Sequence, residues 1–479
     1  MAGSFFTITR KGAQMKLYNT LNRCLEEFIP LKDGEVKMYC CGPTVYSYAH
    51  IGNLRTYLNE DFLHRTLARA GYQVHHVMNI TDVGHLTSDE DSGEDKMLKA
   101  AEKEKMDVMA LARKYEDFFF DEEKDLNIIR PEKVCRATEH VQDMIEFVKK
   151  LEEKGLAYTA GGNVYFDTVK FGHYGELSHK DIEGLQHGAR VEEDTNKRNP
   201  TDFVLWFTSS KFENQILQWD SPWGRGYPGW HIECSVMSSK YLGENIDIHC
   251  GGVDHVPVHH ENEKAQSEGC FGHKWVNYWV HNEFLQLKDM KMSKSLGNIL
   301  TIPALKEKGY NPLAYRYLAL TAHYRSLLQF TWEALDSAQK SYDNLKARVI
   351  EIKKDLSGAI DEAKKTELLA KFDTAIFNDI SMPQALAVMW EAVKDSSLNN
   401  ATKWAILSEM DSVLGLKMDA MQEEAFTPSD EALKLIEERK QARANKDWAK
   451  SDEFRDALAK LGVGIKDLPG NQLDVFPLK

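Results

Sequence analysis

The segment from residue 35 to residue 80 constrains the fold of this chain more than any other. Glu35–Tyr39 is a short, partly apolar run that leads into a turn of Gly and Pro. Residues 51–71 carry apolar side chains at intervals of three and four, which predicts a helix that ends at a glycine. Residues 73–80 alternate and are rich enough in β-branched side chains to predict a strand. A strand, a helix and a second strand so closely connected predict a parallel crossover and a doubly wound α/β domain.

Sequence patterns in the rest of the chain predict several further structural regions. At 479 residues the chain exceeds what a single core holds, so two to four domains are expected. Helical spacing predominates after Asn311, and Ser429 is a suitable N-cap for a later helix. We predict the first half of the α/β domain at 15–116, an insertion at 117–206, the second half at 207–310, a helical bundle at 311–425 and a small terminal module at 426–479.

Composition excludes some protein classes. No stretch approaches the roughly 20 apolar residues of a membrane span, and the N-terminus lacks a signal-peptide core. The net charge of −14 means that any nucleic-acid contact must come from a local basic patch. Seven cysteines without disulfide-like spacing favour reduced thiols, so we expect a cytoplasmic protein. They are Cys24, Cys40, Cys41, Cys135, Cys234, Cys250 and Cys270.

Two short polar motifs suggest phosphate chemistry. His50-Ile51-Gly52-Asn53 stands where the first predicted helix begins, and a helix N-terminus favours phosphate. An ordinary helix cap is the alternative for this motif alone. Lys291-Met292-Ser293-Lys294-Ser295 offers two ammonium groups and two hydroxyls, which suit a triphosphate losing pyrophosphate. A solvated basic turn is the alternative there.

Taken in this order, the two motifs resemble the signature sequences of class I aminoacyl-tRNA synthetases. Asn53 stands where a second histidine is common, and it can donate a hydrogen bond but carries no charge. The resemblance implies a Rossmann-like catalytic domain that uses ATP with Mg²⁺ on its phosphates. It further implies ATP binding by His50, Gly52, Asn53 and Lys294, and catalysis by His50, Asn53, Lys291 and Lys294.

Five further stretches, together with the terminal module, resemble the cysteinyl-tRNA synthetase family. They are Met38–Tyr46, Asn79–Asp82, Lys197–Pro200, Gly229–Ser235 and His259–Glu263. The resemblance implies a monomer that activates L-cysteine with ATP and transfers it to the 3′ end of tRNA(Cys). It implies substrate contacts from Thr81, Trp230 and Asp254.

The same resemblance implies one zinc ion held by Cys41, Cys234, His259 and Glu263. His259 and Glu263 are four residues apart on a predicted helix and can share a metal. The two thiolates must then arrive from different strand ends, and His260 is expected to face away. Zinc binds a substrate thiolate in a way that serine cannot match, so no editing domain is needed. The remaining five cysteines are assigned to packing.

The terminal module carries the expected tRNA contacts. Arg439, Arg443, Lys446 and Lys450 recur at four, three and four, which predicts basic groups along one helix face with Trp448 nearby. A solvated charged face is the alternative. Residues 438–452 are similar to the family's anticodon-binding domain, although Leu473 stands where an aromatic residue is common.

Two other functions remain open at this stage. A related ligase shares the catalytic site and zinc but joins cysteine to an amino sugar, and it generally lacks the terminal module. A non-catalytic paralogue that binds zinc or RNA is expected to have lost Lys291 and Lys294, which are present here. Other class I nucleotidyl transferases share the first motif but lack the four zinc ligands.

Overall fold

The computed structural model describes residues 14–83, 96–179, 194–208, 217–287, 300–423, 426, 428–468 and 473–478. The chain divides into two compact units, residues 1–419 and 420–479. Among the described residues, no helix is both long enough and apolar enough to cross a membrane.

The first unit contains thirteen of the described strands. They are β1 (Lys16–Asn19), β2 (Cys24–Glu27), β3 (Glu35–Cys40), β4 (Gln73–Ile80), β5 (Lys133–Arg136), β6 (Ala157–Ala160), β7 (Asn163–Phe166), β8 (Phe203–Phe207), β9 (Tyr227–Pro228), β10 (Ile246–Gly252), β11 (Val276–Asn282), β12 (Leu285–Leu287) and β13 (Leu328–Phe330).

Thirteen described α-helices accompany these strands. They are α1 (Ile51–Arg69), α2 (Lys96–Glu104), α3 (Val108–Asp125), α4 (Val141–Glu153), α5 (Thr168–Phe171), α6 (Trp230–Leu242), α7 (His259–Phe271), α8 (Ile302–Glu307), α9 (Pro312–Leu320), α10 (Trp332–Lys353), α11 (Glu362–Phe377), α12 (Met382–Lys394) and α13 (Asn400–Leu414).

A five-stranded parallel sheet in the order β11-β10-β3-β4-β5 forms the centre of this unit. The predicted strand, helix and strand are confirmed as β3, α1 and β4, and β3 pairs with β4 in parallel. Tyr39 of β3 stands opposite both Val77 of β4 and His249 of β10. The carboxyl ends of these parallel strands lie at one edge, where open α/β sheets bind ligands.

Two of the predicted domain limits fall inside regular elements. Residue 117 lies within α3, and residue 206 lies within β8. The range predicted as an insertion also contains β5, which pairs with β4 in the parallel sheet. Strands β6 to β9 form a separate antiparallel sheet that extends past residue 206. Such long-range pairing is not visible in local sequence patterns.

Helices α9 to α13 occupy residues 312–414, which confirms the helical region predicted from periodicity. Leu345, Val349 and Ile352 of α10 are buried, as their spacing of four and three indicated. The helices α11, α12 and α13 pack against one another.

The second unit contains α14 (Asp430–Ala444), α15 (Trp448–Lys460), β14 (Val463–Asp467) and β15 (Leu473–Pro477). The strands pair antiparallel. Ser429 caps α14 as predicted, since its Oγ accepts from the Ala432 backbone N–H at 3.2 Å. A small apolar core of Ala432, Ile436, Leu458 and Val463 holds the helices and strands together.

Candidate active site

A cluster of side chains that could hold a metal ion lies at the carboxyl edge of the parallel sheet. Cys41 directly follows β3, whereas Cys234 lies within α6, so the expectation of two strand ends is wrong for Cys234. His259 and Glu263 lie one turn apart on α7, as predicted. Every side chain of the four is buried. One donor atom from each can be chosen so that all four lie within 4.8 Å of one another, which is compatible with one shared ion.

The distances between the donor atoms fit a tetrahedral ion. The Sγ atoms of Cys41 and Cys234 are 3.9 Å apart. Two sulfurs at about 2.3 Å from a tetrahedral zinc ion would be about 3.8 Å apart. Oε1 of Glu263 lies 3.7 Å from the Cys41 Sγ and 2.9 Å from Nε2 of His259. The four residues implied by the family resemblance therefore form a donor set that fits zinc.

His260 does not face away from this cluster, which corrects the prediction. Its Nε2 lies 3.3 Å from the Cys41 Sγ. Cys41 and Glu263 together with His249 and His260 form a second group of compatible donor atoms. His249 was not predicted, and its Nε2 lies 2.8 Å from Oε2 of Glu263. His249 is on β10, and no local spacing relates it to α7.

The electrostatics favour a charged carboxylate and a charged imidazole in this buried place. Burial opposes the charge of Glu263, but His249 and His259 hold the pKa of its carboxyl well below the usual range. Burial likewise opposes a charge on His259, yet Glu263 and Cys234 raise its pKa to about 10. For Cys41, burial is the largest cause of a raised pKa, followed by Cys234. A metal cation would replace these protons as the compensating charge.

His231 is a further residue of this cluster that was not predicted. Its Nδ1 lies 2.9 Å from Nδ1 of His259, while Nε2 of His259 faces Glu263. A partner on the second ring nitrogen fixes the orientation of a metal-binding imidazole. Its position in the quoted stretch Gly229–Ser235, three residues before Cys234, was the available signal.

The other five cysteines divide into two kinds. Cys40, Cys135, Cys250 and Cys270 are buried, which agrees with a packing role. Cys40 and Cys250 stand opposite each other on β3 and β10. Cys24 is exposed on β2, so its assignment to packing is wrong. No residue of β2 is buried, and the Cys24 thiol lies 3.6 Å from Glu26 Oε1.

The first phosphate motif forms the N-terminal cap of α1. Nδ1 of His50 accepts from the Asn53 backbone N–H at 3.1 Å, and Oδ1 of Asn53 accepts from the His50 N–H at 3.2 Å. This reciprocal capping box is the ordinary structural role considered above, and it leaves the helix N-terminus at the same sheet edge. The Ile51 N–H donates to the carbonyl of Leu300 at 2.8 Å. Lys291 and Lys294 lie outside the described residues, in the segment that precedes Leu300.

The three expected substrate residues differ in their surroundings. Thr81 is buried and its hydroxyl lies 3.0 Å from Oε2 of Glu233, the neighbour of Cys234. The ring of Trp230 packs on His259, with centroids 4.4 Å apart. Asp254 is exposed on the turn Val253–His255, ahead of α7. Thr81 and Trp230 thus adjoin the metal-binding residues, and Asp254 faces solvent.

The four basic residues of the terminal module do not form one helix face. Lys446 lies in the turn after α14, and Lys450 belongs to α15. Arg439 is buried, and its two Nη atoms donate to the carboxylate of Asp467 at 2.9 and 3.0 Å. Arg439 therefore packs in the core of this unit and does not lie on an exposed helix face. Lys446 and Lys450 are exposed.

Comparison with known proteins agrees with this geometry. The profile described as tRNA synthetases class I (C) catalytic domain matches residues 27–340. A second profile, the cysteinyl-tRNA ligase anticodon binding domain, matches residues 428–473. Among solved structures, a methionyl-tRNA synthetase of Mycobacterium tuberculosis in complex with methionyl-adenylate has a TM-score of 0.54 at 17% identity. That match covers 80% of this chain and 90% of the other. The chain is therefore a class I tRNA synthetase in fold.

Similarity to two relatives indicates the family within the class I synthetases. A cysteine–tRNA ligase of Treponema denticola is 50% identical, over 95% of this chain and 98% of the relative. The cysteine–tRNA ligase 1 of Burkholderia lata is 47% identical, over 96% of each. With this identity over nearly its full length, the chain belongs to the cysteine–tRNA ligase family.

Proposed function

We propose that this chain activates L-cysteine with ATP and transfers it to the 3′ end of tRNA(Cys). The observation that carries the proposal is the cluster of Cys41, Cys234, His259 and Glu263 at the carboxyl edge of the sheet. Two sulfurs, one imidazole and one carboxylate are a donor set that zinc prefers. A bound zinc ion would take the substrate side chain as a thiolate, and this would distinguish cysteine from serine.

The reaction then has two steps that need no covalent enzyme intermediate. The carboxylate of cysteine attacks the α-phosphorus of ATP, and pyrophosphate leaves. A ribose hydroxyl of the tRNA next attacks the activated carbonyl carbon, and AMP leaves. The protein acts by positioning these groups and by stabilising developing charge.

We assign roles to the chain's residues on this basis. His50, Gly52 and Asn53, at the N-terminus of α1, receive the phosphates of ATP together with its Mg²⁺. Lys291 and Lys294 stabilise the leaving pyrophosphate. Thr81 and Trp230 hold the cysteine backbone beside the metal-binding residues, and Asp254 binds its ammonium group from the solvent side. In the terminal module, Arg443, Lys446 and Lys450 contact tRNA, and the chain acts as a monomer in the cytoplasm.

The test compares cysteine with serine in amino-acid-dependent pyrophosphate exchange, with zinc content measured on the same preparation. We expect exchange with cysteine alone and one zinc ion per chain. Lys294→Ala should abolish most of this exchange. Lys340→Ala, which removes an exposed lysine of α10, is the matched control and should exchange normally.

Charging of tRNA separates this function from its closest rival. Exchange with cysteine followed by charging of tRNA(Cys) supports the proposal. Exchange without charging would favour a ligase that joins cysteine to an amino sugar, and the absence of exchange would favour a non-catalytic protein. The match of residues 428–473 to an anticodon-binding domain favours tRNA.

A further inference from the structure

Asn79, the residue before the end of β4, makes three side-chain hydrogen bonds in a buried position. Its Oδ1 accepts from the backbone N–H of Gly42 at 2.8 Å and from the Tyr39 hydroxyl at 3.2 Å. Its Nδ2 donates to the hydroxyl oxygen of Thr81 at 3.0 Å. Gly42 directly follows Cys41, so this side chain joins the loop of a metal-binding thiol to a proposed substrate residue.

The partners determine which atom donates and which accepts in each of these hydrogen bonds. A backbone N–H can only donate, so the Asn79 atom that faces Gly42 must be its oxygen. The amide nitrogen then faces Thr81, whose hydroxyl oxygen must accept. The single proton of that hydroxyl is donated to Oε2 of Glu233, 3.0 Å away. The lone pair that remains on Thr81 can therefore only accept, and it suits a donor such as a substrate ammonium group.

The backbone around Gly42 leaves this loop little freedom. A Cβ at Gly42 would lie 1.7 Å from the carbonyl oxygen of Asn79, so only glycine fits. The Thr81 N–H donates to the Pro43 carbonyl at 3.1 Å, and the Val45 N–H donates to the Thr81 carbonyl at 3.2 Å. The loop after β3 thus runs along the end of β4, and the Asn79 side chain fixes the peptide next to Cys41.

We propose that Asn79 is a positioning residue with two separable effects. Its oxygen holds the Gly42 peptide and so places the Cys41 thiol for metal binding. Its nitrogen sets the proton of Thr81 toward Glu233 and so keeps the Thr81 oxygen as an acceptor for the substrate ammonium group. The second effect rests on the proposed function, whereas the first depends only on metal binding by Cys41.

Three substitutions separate the two effects. Asn79→Ala removes both sets of hydrogen bonds. Asn79→Asp keeps an oxygen for the Gly42 N–H but places a second acceptor opposite Thr81. The Thr81 hydroxyl then turns its proton toward this acceptor and away from Glu233. Thr81→Val removes the hydroxyl at nearly constant volume and leaves the Gly42 contact intact. Each protein is tested as the full chain, with its folding checked by thermal unfolding.

Zinc affinity is measured by competition with a chromophoric chelator. We expect Asn79→Ala to weaken zinc binding about tenfold, at the lower end of effects seen for groups that support metal ligands. Asn79→Asp and Thr81→Val should bind zinc as tightly as the unchanged chain. The KM for cysteine in pyrophosphate exchange should rise about tenfold in all three variants, as expected for a lost hydrogen bond to a charged group. The KM for ATP should stay unchanged.

Specific outcomes would overturn the inference. Asn79→Ala with normal zinc affinity refutes the effect on Cys41. An unchanged KM for cysteine in Asn79→Asp refutes the effect on Thr81, as does an equal rise in the KM values of cysteine and ATP. If Asn79→Ala fails to fold, the other two variants still decide the second effect, and Asn79→Ser tests the first. The zinc measurement needs no activity, so a chain that fails to exchange with cysteine would refute the proposed function separately.

Discussion

Buried carboxyl groups have different surroundings on the two faces of the parallel sheet. Successive residues of β3 point to opposite faces, so Tyr39 and Cys40 mark one face each. On the Tyr39 face, Glu263 lies 2.8 Å from His249 and 2.9 Å from His259. On the Cys40 face, Glu60 of α1 lies against the Cys40 thiol and is influenced by Glu123 of α3. Both carboxylate oxygens of Glu123 lack a hydrogen-bond partner among the described residues.

The difference shows how partners decide the charge of the same chemical group. Glu263 is fully buried, yet its imidazole neighbours keep it ionised and able to bind a cation. Burial raises the pKa of Glu60 well above its ordinary value, and the nearby Glu123 adds to this rise. Burial also raises the pKa of Glu123 to about 8. Glu263 on one face is therefore ionised, whereas Glu60 and Glu123 on the other face are neutral acids.

The largest expected effect comes from removing a metal ligand on the first face. Cys41→Ser should lower zinc affinity and cysteine-dependent exchange by at least about a thousandfold, because a hydroxyl is a much poorer zinc ligand than a thiolate. Cys24→Ser, which changes an exposed thiol, is the control and should behave normally. Normal zinc content in Cys41→Ser would contradict metal binding by this thiol, because both groups of compatible donor atoms include Cys41.

The terminal unit contains a buried charged side chain that, like Glu263, is paired with side chains of opposite charge. Arg439→Met should lower the stability of this unit by about 2 kcal/mol, since two charged hydrogen bonds to Asp467 are lost while Arg443, at 3.1 Å, still pairs with that carboxylate. Amide hydrogen exchange along α14 in the full chain measures the effect. Lys440→Met, at an exposed site of the same helix, should leave the exchange rates unchanged. Unchanged rates in Arg439→Met would show that the pair adds no net stability.

Arg439 also shows where sequence reasoning stops. The spacing of Arg439, Arg443, Lys446 and Lys450 predicted a basic helix face, but the partner that buries Arg439 is Asp467, far along the chain on β14. Periodicity reports which neighbours share a helix face, and it cannot report a strand that folds back onto that face. The α1 helix, the β4 strand and the Ser429 cap were predictable because their signals are local.

On the second face, Glu123→Gln should change how stability depends on pH. Because the carboxyl has a pKa of about 8 when folded and about 4.3 when unfolded, the folded state binds the extra proton between these values. Stability from this group is full below pH 4 and falls as pH rises toward 8. The variant should match the unchanged chain at pH 4, exceed it by about 2 kcal/mol at pH 6, and exceed it by more at pH 8.

Urea unfolding at pH 4, 6 and 8 measures this dependence. Glu307→Gln is the matched control, because Glu307 is exposed and its substitution should leave the pH profile unaltered. A constant difference between Glu123→Gln and the unchanged chain at all three pH values would contradict a neutral Glu123.

The metal cluster was predictable only in part, and the reason is physical. The family motifs predicted Cys41, Cys234, His259 and Glu263 as metal ligands. His249 was not predicted, and His260 was predicted to face away from the cluster. His260 was expected to point away because it adjoins a ligand on a helix. The β10 and β11 strands, however, bring His249 and His281 to that side, where Nδ1 of His260 lies 2.7 Å from His281. Contacts between elements set these positions, and no spacing along the chain encodes them.

The smallest expected effect concerns exposed charges, for which water replaces a lost partner. Lys446 occupies the turn between α14 and α15 with a φ of 58°, and Trp448 beside it is 57% exposed. Lys446→Ala should weaken tRNA binding by about 1 kcal/mol and reduce its salt dependence, without changing amide exchange in α14. Lys434→Ala, an exposed change elsewhere on α14, is the control. If both variants bind tRNA as well as the unchanged chain does, the turn is a solvated surface and the tRNA contacts lie elsewhere. A loss of affinity in Lys446→Ala alone would separate recognition at the surface from the structural role of Arg439.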